Sequence, residues 1–142
     1  MKKKCLQNKR VFLMNLGSRG KKDYTLFDAF RSAFSGIIFS FKTERNMRIH
    51  LLAAIIVIVS GFFFSITNVE WMVLILVIAI TIALELVNTA IENAVDLITA
   101  QEHPVAKAAK DIAAGAVLIF CIASVGIGLI IFIPYIIERF FM

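Results

Sequence analysis

The chain has 142 residues, of which 60% are hydrophobic and 18% charged, with a mean hydropathy of +0.87. A water-soluble domain is about 45–50% apolar and about 25% charged, so disorder, a collagen-like repeat and an ordinary soluble enzyme are all excluded. The net charge is +5, and twelve of the fifteen Lys and Arg precede Ile49, with Lys107, Lys110 and Arg139 the remainder. A basic arm of this kind reads either as a solvated tail or as a segment drawn to anionic lipid. No folded platform accompanies the charge, so nucleic acid is not an expected partner.

Residues 1–24 form a basic arm containing Gly17 and Gly20, and residues 25–142 are expected to form a single membrane-embedded domain. The two cysteines, Cys5 and Cys121, have neither metal-ligand spacing nor a plausible pairing. The apolar cluster after the first lysines is too short for a secretory signal. Thr25 followed by Asp28 has the form of a capping box, with Asp in place of the usual Glu or Gln. Behind it Leu26, Phe27, Phe30, Phe34, Ile37, Ile38 and Phe41 recur at helical spacing, with Asp28, Arg31, Ser32 and Ser35 opposite. The pattern predicts an amphipathic helix over 25–42, suited to a membrane surface.

Three apolar segments follow. Residues 51–69 carry no formal charge, residues 71–84 are apolar up to Glu85, and residues 112–137 are again uncharged. A bilayer core of about 30 Å needs about 20 helical residues. The first and third segments suffice alone, and the second does so only if its helix continues through Glu85, Asn88, Glu92 and Asp96. The expected fold is all-α, with three transmembrane helices at about 49–68, 70–98 and 111–136 and an N-terminal amphipathic surface helix. With three spans, the N-terminal arm and the 100–111 connection share a side that holds fourteen of the fifteen cations. The positive-inside rule puts that side in the cytoplasm and the C-terminus outside. Trp71 and Tyr135 fall where outer interfacial aromatics are expected.

Glu85, Asn88, Glu92 and Asp96 are spaced by 3, 4 and 4, which sets them on one helix face. At 1.5 Å per residue, Glu85 lies about 24 Å from the start of its span, inside the hydrocarbon near its far edge, and Glu92 lies just beyond that edge. An ionisable group at such depth costs at least about 2.5–3.5 kcal/mol and needs a partner, a cavity or a metal. For Glu92 and Asp96 a helix end emerging into water is an equal reading. For Glu85 it is not, because Glu85 interrupts an otherwise clean span. Carboxylates with an Asn on one face suit a hard divalent cation such as Mg²⁺, which uses oxygen ligands and substrate phosphates. Glu44, Arg45 and Arg48 precede the first span, and Lys107, Lys110 and Asp111 precede the third. Acid, Lys and Arg thus meet at one depth, which are the parts phosphoryl transfer needs. No GxxxxGK[ST] or glycine-rich kinase loop is present.

These residues resemble the prokaryotic diacylglycerol kinase family. Glu85, Asn88, Glu92 and Asp96 match its ExxNxxxExxxD signature, the segment His103–Asp111 looks like its second motif, and Glu44 to His50 looks like its first. The resemblance runs from about Phe27 to Pro134, and the ERNxRIH and AKDIAAGAV forms are similar to the Gram-positive branch of undecaprenol kinases. It implies an ATP-dependent lipid kinase of the bacterial cell membrane that makes undecaprenyl phosphate. A diacylglycerol kinase is the alternative, and a non-enzymatic ion- or partner-binding membrane protein is the second. It also implies Glu85 as general base, Glu44 and Glu92 as carboxylates for Mg²⁺ bound with ATP, and Asn88, Lys110 and Asp111 at the nucleotide. Arg48, Asp96 and His103 are then supporting residues. Finally it implies a homotrimer with active sites shared between subunits.

Several residues carry blander expectations. His50 reads as an interfacial histidine, and His103 as either a nucleotide contact or a piece of loop geometry. Gly115, Gly126 and Gly128 read as close-packing positions. Cys121 reads as facing lipid or core, and Arg31 as a headgroup contact.

Overall fold

A computed structural model describes residues 25–99 and 103–141. The arm 1–24, with Cys5, and residues 100–102 lie outside the described residues. Four helices follow in order: α1 (Leu26–Thr43), α2 (Arg45–Phe64), α3 (Asn68–Ile98) and α4 (Pro104–Phe141), with no strand among the described residues. The chain divides into two compact units at Thr43/Glu44.

In the first unit, α1 begins at the expected cap. The Thr25 N–H donates to Asp28 Oδ2 (3.4 Å), and the Asp28 N–H donates back to Thr25 Oγ1 (3.3 Å). Asp therefore serves in the acidic position of the box. The apolar stripe is bare: Phe27, Phe30 and Phe34 are each about two-thirds exposed or more. Such a face is left for lipid or for another chain.

In the second unit, α2, α3 and α4 are each long and apolar enough to cross a membrane. The second span continues through its acidic stripe as a single helix of 31 residues. The helices are longer at the polar end than charge-free counting predicts. α2 starts at Arg45 rather than 49 and ends at Phe64, before the expected 68. α4 starts at Pro104 rather than 111 and runs on to Phe141. Lys107 and Lys110, expected in a connection, are therefore in the first turns of a helix. Pro at the first helical position costs no hydrogen bond, and the alanines behind it are strong helix formers. Counting uncharged residues finds the hydrocarbon slab, and the helices extend beyond it.

α3 packs mainly on α4 and less on α2. The buried apolar cluster sits at the α2–α3 turn: Ile66, Leu74 and Ile131, with Val57, Phe64, Trp71, Ile127, Phe132 and Tyr135 against them. The turn is tightly specified. Ser65 is left-handed (φ 52°), its N–H reaching Phe62 O while Ile66 N–H reaches Gly61 O, which closes a Schellman motif. Thr67 then caps α3 in a box with Glu70. The Tyr135 hydroxyl, from α4, donates to the Glu70 carboxylate at 2.7 Å. Gly61 is required here, since a Cβ would lie 2.8 Å from the Trp71 ring. Trp71 and Tyr135 thus fall at one end of the bundle, as expected, but they are packed and bonded rather than merely interfacial.

The glycines of α4 behave differently from expectation. A Cβ at Gly115, Gly126 or Gly128 would meet nothing within 4 Å. Within one chain they therefore make no close approach. Hydroxyls along the spans are satisfied locally: Ser60, Thr81, Thr89 and Ser124 donate to the carbonyl four residues earlier. That is the cheapest partner for a polar group where water is absent.

Candidate active site

The polar half of the bundle is built on α3. The spacing of Glu85, Asn88 and Glu92 turns all three toward α2 and α4 or along one groove. Glu85 is 1% exposed and is the one charged side chain buried among the described residues; Asn88 is 4% exposed. Both carry an unsatisfied buried oxygen, Glu85 Oε2 and Asn88 Oδ1. Buried polar groups are nearly always paired, so two bare acceptors in one place mark a site rather than a packing defect. They line a cavity of about 290 Å³ whose walls are Asn46, Ile49 and His50 from α2 and Ala114, Val117, Leu118 and Cys121 from α4. Its walls are mainly apolar.

The stripe continues toward the polar end. Asn88 Nδ2 donates to Glu92 Oε1 at 3.0 Å, one turn along. This bond fixes the Glu92 carboxylate and leaves the Asn88 oxygen facing the cavity. Glu44 is the extended N-cap residue of α2, and its side chain makes no cap hydrogen bond. Glu44 at the start of α2 and Glu92 two turns beyond Glu85 on α3 both lie toward the polar end. Arg48 is exposed, and its Nε donates back to the Glu44 carbonyl at 3.4 Å. Asp96, whose role the sequence leaves open, forms an ion pair with Lys110 across α3 and α4. Asp111, beside it, is exposed. His103 settles as a cap: its Nδ1 accepts the Val105 N–H (3.3 Å) and its carbonyl the Lys107 N–H (3.0 Å). Of its two readings, the geometry supplies the helix start.

Among the described residues no group of three His, Cys, Asp or Glu could hold a metal ion by itself. The donor set of Glu44 and Glu92 is of the kind Mg²⁺ takes, one or two carboxylates with substrate phosphates completing the shell.

Sequence reasoning missed three wall residues. His50 Nε2 stands 3.9 Å from Glu85 Oε2. Asn46 shares that wall, and Cys121, expected to face lipid or core, lines the cavity from α4. Asn46, Ile49 and His50 stand at i, i+3 and i+4, a signal that marks one helix face. Nothing in the sequence states which face meets α3.

Residues 31–132 match the family model described as prokaryotic diacylglycerol kinase. An undecaprenol kinase of Bacillus subtilis is 50% identical over 108 residues, which cover 76% of this chain and 88% of that protein. A diacylglycerol kinase of Synechocystis is 41% identical over 110 residues, 77% of this chain and 63% of that longer protein. One from Haemophilus influenzae is 32% identical over 108 residues, 75% of this chain and 92% of its own.

Proposed function

The chain belongs to the prokaryotic diacylglycerol kinase family, and we propose that within it this multi-pass membrane protein transfers the γ-phosphate of ATP to the hydroxyl of undecaprenol. The observation that carries the chemistry is the pair of bare acceptors, Glu85 Oε2 and Asn88 Oδ1, in an apolar-walled cavity. Such a cavity asks for a donor on an apolar stem, which describes a lipid alcohol. The choice of alcohol rests on the 50% identity to the Bacillus subtilis undecaprenol kinase.

The lipid keeps its tail in the bilayer and presents its hydroxyl to Glu85. Glu85 accepts the proton as the alcohol oxygen attacks the γ-phosphorus in line. The new O–P bond forms as the bond to the β-phosphate oxygen breaks and ADP leaves. Asn88, donating from Nδ2 to Glu92 Oε1, holds Glu92 in place. Glu44 and Glu92 are the carboxylates that would hold Mg²⁺, and the ion would supply charge neutralisation at the phosphates. Lys110, oriented by Asp96, lies with Asp111 at the nucleotide. Most of the acceleration then comes from positioning and charge neutralisation.

The same side of the membrane must hold the cations and the ATP. The N-terminus and the α3–α4 connection are therefore cytoplasmic, with the C-terminus outside. The assembly is a homotrimer with sites shared between subunits. The bare apolar faces of α1 to α4 are what neighbouring subunits and lipid would cover.

The test is phosphate transfer from labelled ATP by the purified chain in mixed micelles. Undecaprenol and diacylglycerol are offered separately, with Mg²⁺ and with chelator. Chelator-sensitive transfer to undecaprenol is the expected result. Transfer mainly to diacylglycerol would keep the site and replace the substrate, and transfer to neither by folded protein would overturn the reading.

A further inference from the structure

We propose that His50 is the positioning residue of Glu85: its Nε2–H donates to Glu85 Oε2 when the lipid alcohol enters the cavity, holding the carboxylate ionised and turned toward the hydroxyl. The inference rests on the reading of Glu85 as the group that accepts the alcohol's proton.

The argument begins with Glu85 itself. Its Oε2 is buried with no hydrogen-bond partner. A carboxylate charge in that state is costly and unstable in its orientation. The surroundings offer few remedies. Glu44 and Glu92 are anions themselves. The Asn88 amide already donates to Glu92. Cys121 is a weak donor from α4. The imidazole of His50 stands 3.9 Å from Oε2, from the opposite wall of the same cavity.

That distance exceeds a hydrogen bond by about 1 Å, the bond itself being about 2.7–3.2 Å. A small side-chain rotation closes it, and catalytic hydrogen bonds are commonly long before substrate binds. Arrival of an apolar alcohol expels water from the cavity and strengthens the attraction that draws the two together. A carboxylate has about four lone-pair sites, so Glu85 accepts from His50 and from the substrate hydroxyl at once. The His50 side chain is 17% exposed while that of Glu85 is 2% exposed, so the donor bridges the cavity and its mouth. The role comes from α2 and α3 meeting at one height.

The test uses the full chain in mixed micelles with the lipid alcohol that the wild type phosphorylates. His50→Leu removes the donor, and kcat should fall about 10- to 100-fold, the usual size of a lost orienting partner. The KM for Mg-ATP should stay within about twofold, because orientation of the base does not touch nucleotide binding. His50→Gln puts an amide N–H near the place of Nε2 and should recover most of the rate. His50→Asn is polar but its amide falls short of Oε2. It should be as slow as the Leu variant and serves where Leu disturbs folding. Wild-type kcat in Leu and Asn variants, a loss that Gln does not recover, or a loss mainly in ATP KM would each overturn the proposal. Absence of lipid phosphorylation by the wild type would overturn the reading of the site, and this inference with it.

Discussion

The two ends of the three-helix bundle are built on opposite rules. At the turn end, the capping groups are paired with one another. Ser65 and Ile66 amides close the Schellman motif, Thr67 and Glu70 cap each other, and Tyr135 ties Glu70 to α4. The apolar cluster sits directly beneath. At the stripe end, a buried carboxylate and a buried amide each keep a bare oxygen, and a cavity lies between the helices. One end holds the helices together, and the other is held open for a ligand. Unpaired polarity collects where chemistry is done and is compensated elsewhere in the fold. For a small chain in lipid the division is sharp, because hydrocarbon gives the helices no hydrophobic reason to associate. Packing and hydrogen bonds must be concentrated somewhere, and the site cannot be the place.

The comparison makes a separable prediction: stripe-end changes should alter rates and leave stability alone, and turn-end changes should do the reverse. The largest effect is expected from Glu85→Gln. Loss of a general base costs about 10²–10⁴-fold, so kcat should fall by that order while Tm in micelles does not drop, since a buried unpaired charge has been removed. A Tm loss comparable to that of a turn-end variant would break the division. Glu92→Gln keeps an acceptor for Asn88 but removes the charge. A contact to a charged group is worth about 1.5–3 kcal/mol, so the apparent KM for Mg-ATP should rise about tenfold or more in steady-state kinetics.

Gly61→Ala is the strongest turn-end probe. The new methyl would press on a Trp71 ring already packed at a tilt against Phe62, with ring centroids 4.8 Å apart. Overpacking costs about 1–3 kcal/mol, against about 0.5–1 kcal/mol gained when Ala replaces Gly in a helix. A net loss of stability with unchanged kcat per folded molecule is expected from thermal unfolding and activity together. Asp96→Asn tests the polar end of the stripe. An exposed pair contributes about 0.2–1 kcal/mol, so Tm should hold and the ATP KM should rise no more than about fivefold. Tyr135→Phe should be the mildest, with a smaller fall in Tm than Gly61→Ala and no change in either kinetic constant.

Much of the local structure was legible in the residues. The Thr25–Asp28 cap, the three spans and the continuous helix through Glu85 all follow from spacing and hydropathy. Both signals are local to one segment, and in lipid a helix is the one open-chain way to satisfy the backbone. Boundaries were less legible: the starts of α2 and α4 lie within charged sequence, where hydropathy is silent and Pro104 and the alanines decide. The glycines of α4 meet nothing within one chain, and their packing is decided by what lies beyond it.

The sequence by itself determined that this chain crosses a membrane three times and carries a stripe of acid and amide on one helical face. Depth along a helix follows from counting residues, and facing follows from a period of 3.6. Only the tertiary structure decided what meets that face. It set His50 3.9 Å from Glu85, paired Lys110 with Asp96, turned Cys121 into the cavity and put Trp71 against Gly61. Those contacts depend on how far each helix is rotated and shifted against its neighbours. That is a property of packing between segments, and no single segment's pattern contains it.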